Sequence, residues 1–398
     1  MDEHMKKDTG HYLFLCLIVL PLIIIGIIQV IIGLQIKDTI ESTAMLLNTR
    51  LRQRLTIMPS RTKSVNLGQE VFVWIPYWDQ KQAVASMENH IDRIDYVSLF
   101  WYGLRADGSI KPYTGAVEDE RVIRFAREHG VPVFMLIANL PDYSEGGDWD
   151  DERIDLVIAS SEARKRHIDE LLALMEQHDF DGINIDYEAL RADQRDNFTL
   201  FIEELAEELH AREKLLAVAL HPKSGEGKQN EKNGSEAQDW IQLAHAADQL
   251  HLMTYEQHNS DTGPGPIASI SWAEAVARYA AEQTKESGAK IFLGIPLYGY
   301  DWNREKSDDE EGRVSGLTYE QVQKLIEDYP DRLSWSDEHE EPYLNYTIEG
   351  EEHEVWFSDV DSVERRIGLS KEFGFAGVAF WRIGAEDKRV WELPPLIK

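Results

Sequence analysis

From residue 71 onward, short apolar runs alternate with stretches whose apolar positions recur at helical spacing. The runs fall at residues 71–78, 96–102, 132–139, 182–188, 216–222, 249–255, 290–298 and 375–383. Each has strand length, and a stretch such as that carrying Ile168, Leu171, Leu172 and Met175 on one stripe reads as an amphipathic helix. Strand–helix alternation predicts an α/β fold with a parallel sheet. Eight such units predict a (β/α)8 TIM barrel, whose functional side chains gather at the C-terminal ends of the strands. One connection, from about 301 to 366, is too long for a plain crossover. It holds an acidic loop (308–311), a helical pattern (319–329) and two strand-like pieces (343–348 and 354–357). This predicts a small α+β insertion at about 303–358, between the seventh strand and the last helix, placed to wall one side of a cleft.

The N-terminal part has a different pattern. Residues 12–36 form a run of 25 without a charge. That is long enough to span a bilayer, and Pro21 and Gly26 are tolerated in a spanning helix. The run exceeds a signal-peptide core and no A-x-A-like site follows closely, so an uncleaved anchor is expected. Cleavage near Ser42-Thr43-Ala44 is the lesser alternative. Residues 37–67 are polar, with Ile40, Leu47, Leu51 and Leu55 at roughly helical spacing, and read as a stalk. The expected organisation is a tail (1–11), a transmembrane anchor (12–36), a stalk (37–67) and a barrel (68–398). Lys6 and Lys7 precede the run while Lys37, Arg50, Arg52 and Arg54 follow it, so basic residues do not decide its orientation. The single cysteine, Cys16, lies inside the run and gives no disulfide framework.

Charge narrows the partners. Asp and Glu number 72 against 41 Lys and Arg, a formal net charge of −31. Nucleic acid is not an expected partner, because binding it depends on neutralising phosphates with basic side chains. A neutral polymer fits this balance.

The candidate chemistry sits in the fourth run, Phe180-Asp181-Gly182-Ile183-Asn184-Ile185-Asp186-Tyr187-Glu188. Strand side chains alternate faces, so Asn184, Asp186 and Glu188 share one face and Ile183, Ile185 and Tyr187 the other. The two acids stand ~6.6–7 Å apart at Cα along the strand. Carboxylates that close interact, and one is expected to hold its proton to higher pH than usual, as a general acid must. The same spacing would also suit a buried strand end with salt-bridged acids.

The pattern D-G-x-[DN]-x-D-x-E, written here with residues 181 to 188, resembles the signature of family 18 glycoside hydrolases, the chitinases and their relatives. Asn184, where the family pattern has Asp, resembles the peptidoglycan glucosaminidases of the family, spore-cortex enzymes among them, and the lysosomal chitobiase. The resemblance runs from about residue 71 to 391 and supports closure of the barrel. It implies that Glu188 is the general acid, that Asp186 orients the substrate's acetamido group, that Asn184 holds Asp186 by a hydrogen bond, and that no metal or cofactor is needed. Met253-Thr254-Tyr255-Glu256 resembles the family's M-x-Y-D motif, which implies that Tyr255 binds the N-acetyl carbonyl; Glu256 replaces the family Asp. Trp381 matches the family's tryptophan beneath the reacting sugar. Asp181 of the signature, Glu256, and the aromatics Trp74 and Tyr298 complete the candidate substrate contacts. Trp78, Trp101, Tyr102, Tyr300 and Trp302 are further aromatics near strand ends, each a sugar platform or ordinary core. Leu136-Ile137-Ala138-Asn139 stands where chitinases usually carry S-x-G, which weakens a strict chitinase reading.

Other chemistries find no support. His221 and His251 lie among carboxylates without metal-ligand spacing, and no G-x-S-x-G, phosphate loop or dinucleotide fingerprint occurs. The expected partner is therefore an N-acetylglucosamine-containing polysaccharide, peptidoglycan ahead of chitin, met outside the cell by a single-pass membrane protein; this substrate sets the orientation of the anchor. The alternative is a non-catalytic, lectin-like member of the same fold. Such members typically lose one of the two acids, and both are present here. The sequence leaves the oligomeric state open.

Overall fold

The computed structural model describes residues 68–225, 234–307, 310 and 312–394. Eight strands form a closed parallel barrel: β1 (Glu70–Pro76), β2 (Tyr96–Leu104), β4 (Val133–Ala138), β5 (Gly182–Asp186), β6 (Leu215–Leu220), β7 (Gln249–Leu252), β8 (Lys290–Pro296) and β14 (Gly377–Trp381). Each pairs in parallel with the next, and β14 pairs with β1 to close the ring. A short β3 (Ile110–Pro112) lies antiparallel on the end of β2. All eight apolar runs are strands.

The two-residue period of the strands separates two cores. Along β1, Phe72 and Trp74 point into the barrel while Val71, Val73 and Ile75 pack against the helices; Phe134 and Leu136 on β4 divide from Val133, Met135 and Ile137 in the same way. On β5 the outward residues are Ile183 and Ile185, joined beyond the strand by Tyr187. The helix Ser161–Gln177 shows how the covering layer forms. Ser160 caps it by accepting from the Ala163 N–H, and Ile168, Leu171, Leu172 and Met175 are buried.

The insertion is larger than its pattern predicts. It is an antiparallel sheet in the order β10–β9–β13–β12–β11, made of β9 (Gly299–Asn303), β10 (Val314–Leu317), β11 (Leu333–Ser336), β12 (Glu341–Ile348) and β13 (Glu351–Phe357), with the helix Tyr319–Asp328. Three of its strands escape the sequence pattern. β9 falls at the predicted start of the insertion, β10 carries no apolar alternation, and in β11, Leu333-Ser334-Trp335-Ser336, the alternation is only four residues long with three of them exposed. A fully buried ion pair fixes the insertion to the barrel: Glu341, opening β12, accepts from Arg366 on the last helix and from the N–H groups of Ile267 and Ala268.

The expected membrane run (12–36) and stalk (37–67) lie outside the described residues. Among the described residues no helix is long and apolar enough to cross a membrane.

Candidate active site

The C-terminal ends of β5, β6, β7, β8 and β14 converge on one group of side chains. Asn184 is wholly buried, and its Oδ1 accepts from the indole N–H of Trp74 (2.8 Å) and the hydroxyl of Ser98 (3.1 Å). The expected Asn184–Asp186 bond is not made. Asn184 Nδ2 and Asp186 Oδ1 are both buried without a hydrogen-bond partner. Asn184 is thus tied through its Oδ1 to β1 and β2, and Asp186 Oδ1 is left as an open acceptor in the site.

Glu188 stands two residues beyond, just past the strand end. A single side chain grips its peptide: the Glu188 N–H donates to Asn139 Oδ1 (2.8 Å), and Asn139 Nδ2 donates to the Glu188 carbonyl (2.8 Å) and to that of Asp150 (3.1 Å). The next residue, Ala189, adopts the left-handed region at φ 54°. A non-glycine residue persists there only when its surroundings over-determine it, and the Asn139 clamp contributes to that constraint. In the sequence Asn139 stands out only as part of a departure from a chitinase motif. Its partner lies 49 positions away, so no local pattern signals the contact.

Electrostatics separates these acids from surface carboxylates. Burial raises the proton affinity of Asp186, and burial together with the charges of Asp186, Glu256 and Asp148 raises that of Glu188 well above the usual range. Glu188 keeps 19% of its side chain exposed, so the carboxyl opens on solvent. The stability consequence has a definite sign. Above pH ~4 the unfolded chain has released these protons while the native state still holds them, so stability falls as pH rises towards the raised native values. Glu188→Gln and Asp186→Asn should therefore melt above the parent, by roughly 2–4 °C for each kcal/mol relieved. Thermal melts from pH 4 to 8 should show the gap widening with pH; a gap that shrinks as pH rises would contradict the assignment.

Tyr255 follows β7, and burial above all, then the charges of nearby Asp186, Glu188 and Glu256, raises its phenol. The ring fits because β8 carries Gly294. A Cβ there would lie 2.2 Å from the Leu252 carbonyl oxygen and 2.9 Å from Tyr255 Cε1. Gly294→Ala must push β7 and Tyr255 aside; a stability loss of about 1–3 kcal/mol and a fall in kcat/KM of roughly tenfold or more are expected, measured by chemical denaturation and steady-state kinetics. Glu256, at φ 62°, directs its Oε1 to the hydroxyls of Tyr298 (2.6 Å) and Tyr300 (2.8 Å). Those bonds oppose the effect of burial, which is the larger and raises its proton affinity.

Trp381 ends β14 half-buried, edge-on to Trp74 (6.0 Å) and Trp78 (6.1 Å). Trp78 beside it is 50% exposed, with the Arg382 guanidinium over its ring at 5.8 Å. Trp74 itself is 2% exposed and spends its N–H on Asn184, which places it behind the site as a support. Of the remaining aromatics, Trp101, Tyr102 and Trp302 are buried in the core. Asp181 requires a correction. It precedes β5 at the opposite end of the barrel, where it accepts from the Val133 N–H (3.0 Å) and pairs with Arg127, so it does not reach the site. Of the histidines weighed as ligands, His251 packs inside the barrel on the Phe72 ring (4.0 Å), and His221 lies 3.6 Å from Glu188.

Buried paired carboxylates at the rim of a closed eight-stranded barrel, flanked by aromatic faces, define a site of the glycosidase class. Comparison with known proteins agrees: the chain belongs to the glycosyl hydrolases family 18, whose sequence pattern matches residues 73–386. A glycosylase of Bacillus subtilis designated YvbX, itself uncharacterized, is 26% identical over 272 residues, 68% of this chain and 76% of that protein. The cortical fragment-lytic enzyme of Bacillus anthracis is 25% identical, with 75% of this chain and 67% of that one covered. Among solved structures, the spore cortex-lytic enzyme SleL of Bacillus megaterium shares the fold, with a TM-score of 0.73, 24% identity, and coverage of 83% and 74%.

Proposed function

We propose that this glycosidase cleaves β-1,4 linkages of N-acetylglucosamine-containing glycans, with retention of configuration, by using the substrate's own acetamido group. The observation that carries the reading is the pairing of a proton-retaining Glu188 with an Asp186 whose buried Oδ1 has no partner. Glu188 protonates the glycosidic oxygen and the bond to the anomeric carbon breaks. The N-acetyl carbonyl oxygen bonds to that carbon, so no enzyme nucleophile is consumed; family 18 is a known exception to carboxylate nucleophiles. Asp186 Oδ1 accepts the acetamido N–H, and its charge steadies the cationic ring intermediate. Tyr255 holds the carbonyl from its place beside both acids. Water, giving its proton to Glu188, then opens the intermediate. Trp381 and Trp78 supply apolar faces for the sugar.

Peptidoglycan is the favoured polymer, on Asn184 and on the likeness to a cortical fragment-lytic enzyme. The uncharged run at 12–36 supports attachment to the cell membrane with the barrel outside. Digestion of peptidoglycan and of chitin oligomers in parallel, read by product mass, tests the reading. Muropeptides ending in reducing N-acetylglucosamine are expected. Cleavage of chitin oligomers alone would reassign the substrate, and binding without cleavage would make the protein a lectin.

A further inference from the structure

β6 ends at Leu220, and the next residue, His221, turns towards Glu188 from the neighbouring strand. Its backbone is fixed: the His221 N–H donates to Gln238 Oε1 (2.8 Å), and Gln238 Nε2 donates to the Ala219 carbonyl (3.1 Å). Its ring is fixed as well. Gly234, at φ 91°, lies against it, and a Cβ at that position would stand 2.9 Å from Cδ2 and 3.0 Å from Nε2. The His221 side chain is 8% exposed and its Nε2 makes no hydrogen bond, although Glu188 Oε2 is only 3.6 Å away. Burial holds this histidine down to about 3, so it is neutral at any working pH and carries one ring N–H. A fixed, buried ring nitrogen that stops just short of a hydrogen bond to the acid is more than packing requires.

We propose that His221 is a positioning residue for Glu188, donating its Nε2–H to Oε2 once Glu188 has given its proton to the glycosidic oxygen. This deepens the glycosidase reading and rests on it. The Glu188 proton goes to the leaving oxygen and returns later from water, while His221 neither gains nor loses one. An N–H bond to a carboxylate is roughly twice as strong as one to a neutral carboxyl. The contact is therefore weak in the resting state and strong in the intermediate, which is the differential that accelerates a reaction. The other groups facing Glu188 act in the opposite sense: Asp186 on its own segment, Glu256 beyond β7 and Asp148 in the loop after β4 all disfavour its charge, and the Tyr255 phenol is near.

The test compares the parent with His221→Ala and His221→Gln on an N-acetylglucosamine oligomer, recording kcat, KM and the pH profile of kcat/KM. His221→Ala should lower kcat roughly tenfold to a hundredfold with KM nearly unchanged. The basic limb should move to higher pH, because the carboxylate has lost a donor. His221→Gln, whose amide can donate, should recover most of the rate and return the limb. An unchanged kcat and limb in His221→Ala, or a loss that Gln does not repair with the limb unmoved, would overturn the proposal. Nitrogen-15 NMR of the unmutated protein is independent of variant folding. The His221 Nε2–H signal should shift as Glu188 ionises and stay in place in Glu188→Gln; no shift in the parent overturns the proposal. A parent that cleaves no glycan ends both readings, whereas a cleaving parent matched by His221→Ala ends only this one.

Discussion

Glu188→Gln is expected to leave the barrel folded and to lower kcat on an N-acetylglucosamine oligomer by roughly 10²–10⁴-fold with little change in KM. Glutamine keeps the shape and the Asn139 grip on the peptide, since both bonds of that grip to residue 188 are made by its backbone. What it removes is the transferable proton. The carboxyl holds that proton because it is buried beside Asp186 with Glu256 and Asp148 near, so the loss falls on the chemical step. Steady-state kinetics of the purified variant, with melting temperature as the folding control, read the effect; full activity would remove Glu188 from the mechanism.

The largest stability effect is expected at the joint between the insertion and the barrel. Glu341 and Arg366 are both essentially inaccessible to solvent, and the carboxylate also accepts from the Ile267 (2.8 Å) and Ala268 (2.9 Å) N–H groups. Glu341→Ala strands a buried guanidinium and two backbone donors at once, with an expected cost of about 3–5 kcal/mol. Chemical denaturation measures it, and a loss below about 1 kcal/mol would contradict this account of the joint. Replacing both partners by apolar residues should cost far less than the single change, because no charge is left unpaired. Function should follow stability. Gln257, two residues after Tyr255, bonds through its N–H to the Ile267 carbonyl (3.0 Å), so the segment carrying Tyr255 and Glu256 rests on the same support.

The barrel was legible because its strands are buried on both sides and therefore read as apolar runs, and because period-two alternation set Asn184, Asp186 and Glu188 on one face. Asp181 was misplaced because a signature compresses a whole strand into one string. The seven steps from residue 181 to 188 span roughly 23 Å of extended chain, from one end of the barrel to the other. The contacts that aim the site are long-range and invisible in any local window. Trp74 and Ser98 reach Asn184 across 110 and 86 positions, and Asn139 reaches Glu188 across 49. In the insertion, β10 gives no periodic signal and β11 only a four-residue alternation of mostly exposed residues, so both appear only once their partners are in place.

On the proposed mechanism the sugar's acetamido group, and not a directly attacking water, takes the anomeric carbon while Glu188 supplies the proton. Proton NMR of the first product formed from a chito-oligosaccharide, recorded before mutarotation, tests it most directly. The new reducing end is expected to appear as the β-anomer, with retained configuration. Initial appearance of the α-anomer would mean single-step inversion by water, and the roles given to Asp186, Tyr255 and Glu188 would fail together.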